Sequence, residues 1–527
     1  MKMKAFVRAA AATCVAWAMA GAAQAAGTVS FCSDSAPEGF DIAQFETIPT
    51  QDAAGLTIYD ALLQMKPGTT EVVPGIVERW ETSADGRVYT LHLRHGVKFH
   101  DTAWFHPTRE LNADDVIWSV QRINDPHHPA HAAAPNGYPY WAGMSMNKLI
   151  QSIDKLDPMT VRITLTHADA AFPADLTMTN IAAVYSAEYG AQLVRSGHLE
   201  WLDTKPIGTG PYVFKSYVKD AVIRYDANKA YWGGAPGIDH LVFAITLDTA
   251  VLVQRLKAGE CQVAVIANDK AGAFAGDPRF NIADTQSLMT VYVSPNAKHG
   301  VLGDKRFREA LSLAIDRDAI VKAVYSGSGE PAGSFLPPGM WGRDASIRNP
   351  QDVARAKALV KASGYDGREL TLFTVAARSD NKRFAELLQA DWAAIGVKVK
   401  LRLMEVGELY KRTGAGEHDL ALLSWFSDNG DPDNFLTPNL SCAAVGGGGN
   451  KSQWCNPAFD RLLAQARATT DIAQRTAIYQ KAQQMIHDET ALIPVAHRHG
   501  IAVVDKRVSG FVLTPFLGSS FRAARLN

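Results

Sequence analysis

The chain has 527 residues, enough for two to four domains. Hydrophobic residues make up 47% and charged residues 20%, which permits a large packed core and excludes a wholly disordered chain. Lys and Arg number 53 against 54 Asp and Glu; at a net charge of −1, nothing in the charge balance calls for nucleic acid or an anionic membrane as partner.

The first element is not part of the fold. Lys2, Lys4 and Arg8 precede an apolar run from Ala9 to Ala20, and Ala23-Gln24-Ala25 supplies a small-x-small cleavage pattern. Residues 1–25 therefore read as a secretory signal peptide. The run is too short to span a bilayer comfortably. Cys14 lacks the Leu-x-small-Cys context of a lipoprotein, so no lipid anchor is expected. Cleavage takes away three cations and moves the net charge from −1 to −4.

Further along, Tyr89, Leu91 and Leu93 alternate with polar residues, a strand with one apolar face. Asn112 followed by Ala113-Asp114-Asp115 is an N-cap with acidic first-turn residues. Val161, Ile163 and Leu165 predict a second strand. Phe307, Ala310, Leu311 and Ala314 recur at helical spacing, and Asp316 can cap the next helix, which carries Ile320 and Val324. Phe384, Leu387, Leu388, Trp392 and Ile395 line one face of another helix. A strand follows with Val397, Val399, Leu401 and Leu403, then an apolar strand from Leu420 to Leu423. A late helix carries Ile478, Ala482, Met485 and Ile486. Alternating helices and strands define an α/β class with mixed sheets. Pro206 to Pro211 and Leu336 to Gly342 are turn-rich places where the path can change domain.

Most familiar chemistry is missing from the sequence. No Gly-x-Ser-x-Gly elbow, His-Glu-x-x-His helix or P-loop is present. Gly208-Thr209-Gly210 is followed by Pro211 and lacks a third glycine, so it reads as a tight loop. His127, His128 and His131 lie in a Pro-rich segment that reads as a surface loop rather than a metal site, and His497 and His499 read as solvent-facing. No cofactor and no metal is expected.

Removing Cys14 leaves Cys32, Cys261, Cys442 and Cys455, an even number in an exported chain. Three pairings are open. Cys442 and Cys455 are the natural local pair, which would leave Cys32 with Cys261.

Asp428, Asp431 and Asp433 look calcium-like, but the EF-hand order fails, with Asn439 where its Glu belongs. Trp425 and Phe426 precede them at the end of an apolar strand, an arrangement suited to a pocket wall. Trp425-Phe426-Ser427-Asp428-Asn429-Gly430-Asp431-Pro432-Asp433-Asn434-Phe435 resembles a segment of the peptide-binding (peptide/nickel-type) family of ABC-transporter solute receptors, dipeptide branch. Pro37-Glu38-Gly39-Phe40, Gly68 to Gly75, Thr108 to Val116, Tyr231-Trp232-Gly233, Gly259 to Val263 and Gln389-Ala390-Asp391-Trp392 extend the resemblance over essentially the whole mature chain.

The resemblance implies a two-lobed periplasmic binding protein fold with an extra, smaller domain on the first lobe. Lobe I would comprise residues 26–60, 205–288 and 500–527, the extra domain 61–204, and lobe II 289–499. The Cys442–Cys455 pairing is implied, and a Cys32–Cys261 bridge agrees with it. The family further implies that Asp428 holds a dipeptide's α-ammonium and Arg378 its α-carboxylate, with Arg383 as competitor for the second role. Tyr138, Tyr140, Trp341 and Trp425 are aromatic candidates for the walls. A dipeptide's termini lie at most about 7 Å apart, from the reach of two extended residues, so a fixed Asp–Arg pair measures length. The expected role is a periplasmic, monomeric, non-enzymatic receptor that delivers dipeptides to an inner-membrane ABC permease with separate ATPase subunits. A chemoreceptor is a candidate second reader of its closed form. The alternatives are a receptor of the same fold for longer peptides, haem, 5-aminolevulinate or a metal chelate, and, remotely, a secreted hydrolase.

Overall fold

Two strands run the length of the molecule's central sheet and join its halves. The computed structural model describes residues 27–135, 137–376, 379–446 and 448–527; the signal segment and Arg378 lie outside them. In Phe280–Pro295, the first half pairs with the second half of Ile493–Asp505, from Phe280 opposite Asp505 to Gln286 opposite His499. Its second half pairs with Leu420–Phe426. The register between the two long strands breaks between Gln286 and Thr290 and again between Val291 and Tyr292. Such bulges bend a strand locally, which suits a hinge.

On one side of this crossing lie Val263–Ile266, Thr28–Ser33, His240–Ile245, Val222–Ala227 and Tyr212–Val218, in that spatial order. On the other lie Leu420–Phe426, Leu370–Val375 and Val399–Met404. The second group is covered on one face by Lys305–Ala314, Arg317–Tyr325 and Ser379–Ala394, whose Phe307, Leu311, Ile320, Phe384 and Trp392 share one core. Pro432–Leu440, Pro457–Ala468 and Ile472–Glu489 contribute to a second core that includes Phe435, Phe459 and Tyr479.

A separate sheet, Val77–Thr82, Val88–Leu93, Thr160–Leu165 and Ile150–Asp157, packs with Ala113–Asn124 onto the first half. Its Tyr89, Leu91, Val116 and Ile163 belong to the same core as Val29, Phe31 and Tyr225. The helix begins where the sequence places it. The Asn112 side chain accepts from the Asp114 N–H, and the Asp115 carboxylate accepts from the Asn112 N–H at 2.9 Å, closing a capping box. Arg109 also pairs with the buried Asp115 at 2.6 Å.

Cys32 and Cys261 are bonded, with Cα atoms 5.7 Å apart, and fasten Thr28–Ser33 to the start of its parallel neighbour Val263–Ile266. Cys442 and Cys455 are bonded with Cα atoms 4.6 Å apart. The Pro206–Pro211 segment crosses the backbone at Ile58 so closely that a Cβ on Gly208 would sit 2.0 Å from its carbonyl oxygen; the Gly210 N–H donates to that oxygen at 2.9 Å.

Two sequence readings are corrected. His497 is not solvent-facing but 1% exposed, its Nδ1 3.0 Å from the Thr290 hydroxyl, because its strand is covered here on both faces. His499 is largely covered, with Nδ1 2.6 Å from Asp284. Leu403 departs from the apolar face of its strand and is 40% exposed, because that strand ends the sheet and no neighbour covers its tip.

Candidate functional site

The apolar strand Leu420–Phe426 carries the acidic loop to the boundary between the halves. The loop is built by its own side chains. The Ser427 hydroxyl accepts from the Gly430 N–H at 2.9 Å, and the Asn429 side chain from the Asp431 N–H at 2.9 Å. Asp431 then caps Pro432–Leu440, with Pro432 at the first helical position. Gly430 has φ +72°, and a Cβ there would meet Thr70 at 3.0 Å and Phe516 at 3.2 Å; both its conformation and its close approach to the opposite half require glycine.

The three loop aspartates have separate fates. Asp431 pairs with Arg475 at 3.0 Å and accepts from the Tyr479 hydroxyl at 3.3 Å, and all these side chains are buried. Asp433 pairs with Arg467 at 3.3 Å; burial pushes its carboxyl up to about 6 while Arg467 pulls it down. Asp428 has no cationic partner among the described residues. Its Oδ1 accepts from the Tyr140 hydroxyl at 2.9 Å and its Oδ2 from the Asn434 amide at 3.1 Å. Burial raises its pKa, and these two hydrogen bonds oppose the rise.

Asp428 opens onto a cavity of about 260 Å³ between the halves. Tyr140 and Phe426 line it, as do Leu56, Leu63 and Met65 from the chain's start, Met178 and Asn180, and Phe516 and Arg522 near its end. Asn180 is 2% exposed, and its side-chain oxygen has no hydrogen-bond partner. Glu46 also faces the cavity; burial and then the Asp428 charge raise its pKa. The halves touch directly around this space. The Asn429 amide donates to Asp175 at 2.7 Å, the Ala170 N–H to the Arg467 carbonyl at 2.9 Å, and the Thr70 hydroxyl to the Gly339 carbonyl at 3.4 Å.

Of the candidate side chains, the structure brings Asp428 and Tyr140 together. Three others lie elsewhere. Tyr138 is 6% exposed in the core, its hydroxyl donating to the His131 carbonyl at 3.1 Å, because its short helix turns Tyr138 inward and Tyr140 toward the cleft. Trp341 packs against Arg475, whose guanidinium lies 4.9 Å from its ring centre, and against Tyr479. Trp425 precedes Phe426 on the strand, so it points to the opposite face; half-buried, it packs against the second core, its indole N–H buried without a partner. Arg378 is outside the described residues, and Arg383 is an exposed residue of Ser379–Ala394 that does not line the cavity. Asn180, Glu46 and Met178 escaped sequence reasoning; no local pattern marks them, since only the fold brings their segments to Asp428.

The histidine cluster is a loop feature: His131 Nδ1 is 2.9 Å from the Arg122 carbonyl oxygen, and His128 packs on Trp118. Among the described residues no group of three or more His, Cys, Asp or Glu is placed to hold a metal, and no helix is long and apolar enough to cross a membrane.

A cavity walled by both lobes, with two strands as the crossing between them, is the plan of a small-ligand receptor. The model of the bacterial extracellular solute-binding proteins, family 5, matches residues 71–447. The chain is 46% identical over 509 residues to di/tripeptide-binding protein 4 of Pseudomonas aeruginosa, covering 95% of each chain. Among solved structures it superposes on HbpA2 from Haemophilus parasuis with a TM-score of 0.90 at 38% identity, covering 95% of this chain and all of that one. It superposes on the dipeptide-binding protein from Pseudoalteromonas sp. SM9913 in complex with Met-Leu with a TM-score of 0.78 at 34% identity, again over 95% and 100%. The chain belongs to the family 5 extracellular solute-binding proteins, receptors of ABC transporters with the two-lobed periplasmic binding protein fold.

Proposed function

We propose that this receptor binds dipeptides in the interlobe cavity and delivers them to an inner-membrane ABC permease. The carrying observation is Asp428: alone of the three loop aspartates it lacks a cation among the described residues, and it lines the cavity between the halves. A carboxylate withdrawn from water without a partner is costly, and an arriving α-ammonium removes that cost. Tyr140 and Asn434 fix both carboxylate oxygens, so the ammonium meets an oriented acceptor. Arg378 takes the α-carboxylate and completes the ruler for peptide length. The likeness to a di/tripeptide-binding protein and to a dipeptide-binding protein in complex with Met-Leu supports a short peptide as ligand.

Closure is the output. Contacts made only when the lobes meet shift the open–closed equilibrium towards the form that a permease reads. The lobes are residues 26–60, 205–288 and 500–527 against 289–499, with 61–204 riding on the first. The receptor acts as a periplasmic monomer after loss of residues 1–25, carries out no turnover itself, and leaves ATP hydrolysis to separate subunits. A chemoreceptor is a second candidate reader of the closed form.

Calorimetry on ligand-stripped protein with Ala, Ala-Ala and Ala-Ala-Ala tests the reading. Tight binding of Ala-Ala alone is expected, with neither Ala nor Ala-Ala-Ala binding tightly. Equal affinity for all three would remove the length-measuring pair.

A further inference from the structure

The cavity's walls and its charges carry unequal instructions about the ligand's side chains. Its surface is dominated by Ile48, Leu56, Leu63, Met65, Met178 and Phe516. Of the two described cations on its lining, Arg522 is held by a buried carboxylate, and Lys66 sits at the solvent-exposed rim, paired with an exposed glutamate. Lys66 pairs with Glu71 at 2.7 Å, and Arg522 with Asp60 at 2.9 Å. Its two carboxylates, Glu46 and Asp428, are paired with no cation among the described residues. The buried Asn180 oxygen adds an acceptor that lacks a donor. An entering ligand therefore meets apolar surface and two carboxylates without a cation, while the cation that is not held by a buried carboxylate, Lys66, lies at the solvent-exposed rim.

Resting on the dipeptide reading, we propose that this cavity selects dipeptides with apolar side chains and rejects those with acidic ones. Methionine supports the first half: Met65 and Met178 are unbranched and polarizable, so they adjust to apolar side chains of different shape. Electrostatics supports the second half. A Glu or Asp side chain in this space would lose water, gain no cation, and face Glu46 and Asp428 in a medium that screens poorly.

The test is calorimetry with Ala-Ala, Leu-Ala, Ala-Leu, Glu-Ala and Ala-Glu on ligand-stripped wild type, Glu46→Gln and Ile48→Arg. The better leucine peptide should bind at least tenfold more tightly than either glutamate peptide. Glu46→Gln should narrow that gap. Ile48→Arg, at a position 38% exposed and tolerant of a long side chain, should tighten a glutamate peptide at least tenfold. If Ala-Ala binds while glutamate and leucine peptides bind equally to wild type, the selectivity is refuted and the dipeptide reading stands. If Ala-Ala does not bind, the dipeptide reading itself fails, and this inference with it. A gap that neither variant changes would overturn the electrostatic cause.

Discussion

The Tyr140 hydroxyl donates to Asp428 at 2.9 Å, joining residues 288 positions apart and on opposite sides of the cleft. One hydrogen bond thus ties the cavity-lining carboxylate to the opposite wall of the cleft.

Tyr140→Phe removes this link and leaves the carboxylate in place. We expect Ala-Ala affinity to fall by about 1 kcal/mol, the net worth of a single hydrogen bond, or up to about 3 kcal/mol with a charged acceptor. Asp428→Ala should cost at least about 2 kcal/mol, the scale for truncating one partner of a buried charge pair. Titration calorimetry of both variants checks this; a Tyr140→Phe loss exceeding that of Asp428→Ala would contradict the assignment of roles.

The Asn429–Asp175 bond of 2.7 Å is a second tie across the cleft, made away from the cavity lining. Burial raises the Asp175 pKa, and the Asn429 amide opposes that rise. Asn429→Ala would leave a buried acceptor unpaired in the closed form only, at about 1–3 kcal/mol. The liganded receptor should then populate the open form more, seen as a larger radius of gyration by solution scattering at saturating dipeptide. An unchanged radius and affinity would show that the tie does not stabilise closure.

Asp52 lies beneath the cavity and accepts from the Ser519 N–H at 2.6 Å. Burial pushes its carboxyl up to about 7, with the Ser519 bonds pulling it down. The unfolded chain titrates this group near pH 4, so between about 4 and about 7 the folded chain holds a proton that the unfolded chain has lost. Its contribution to stability is complete below about pH 4 and declines as pH rises through that window. Asp52→Asn should therefore gain stability relative to wild type with rising pH, by up to about 4 kcal/mol at neutral pH. His497, pushed down to about 3 by burial, contributes the opposite slope, but it is common to both proteins and cancels in the difference. Urea melts at pH 4 and pH 8 measure the effect; a constant difference between the two would exclude it.

The disulfides close loops of very different size, with sequence separations of 229 and 13. Chain entropy assigns about 5 kcal/mol to the first and about 3 kcal/mol to the second. Replacing Cys32 and Cys261 together by Ser should lower the denaturation midpoint more than replacing Cys442 and Cys455, in denaturant titrations under non-reducing conditions. The reverse order would mean that native-state packing, not loop closure, sets their worth.

The sequence by itself determined the local elements and the class. Caps such as Asn112 and Asp316, helical spacing such as Phe307 to Ala314, and period-2 strands such as Tyr89 to Leu93 depend on residues within a few positions of each other, and all form as patterned. The acidic loop was visible because its residues are contiguous. The resemblance singled out Asp428, but only the tertiary structure decided which of the loop's aspartates have a cation beside them among the described residues. Arg467 and Arg475 neutralise two of them from helices that no local pattern connects to the loop. The same holds for the aromatics: Tyr138 and Tyr140 look equivalent in sequence, yet one turns into the core and the other reaches Asp428. Local chemistry sets the backbone's shape; charge compensation and cavity walls are sums over distant segments, and those sums exist only once the chain has folded.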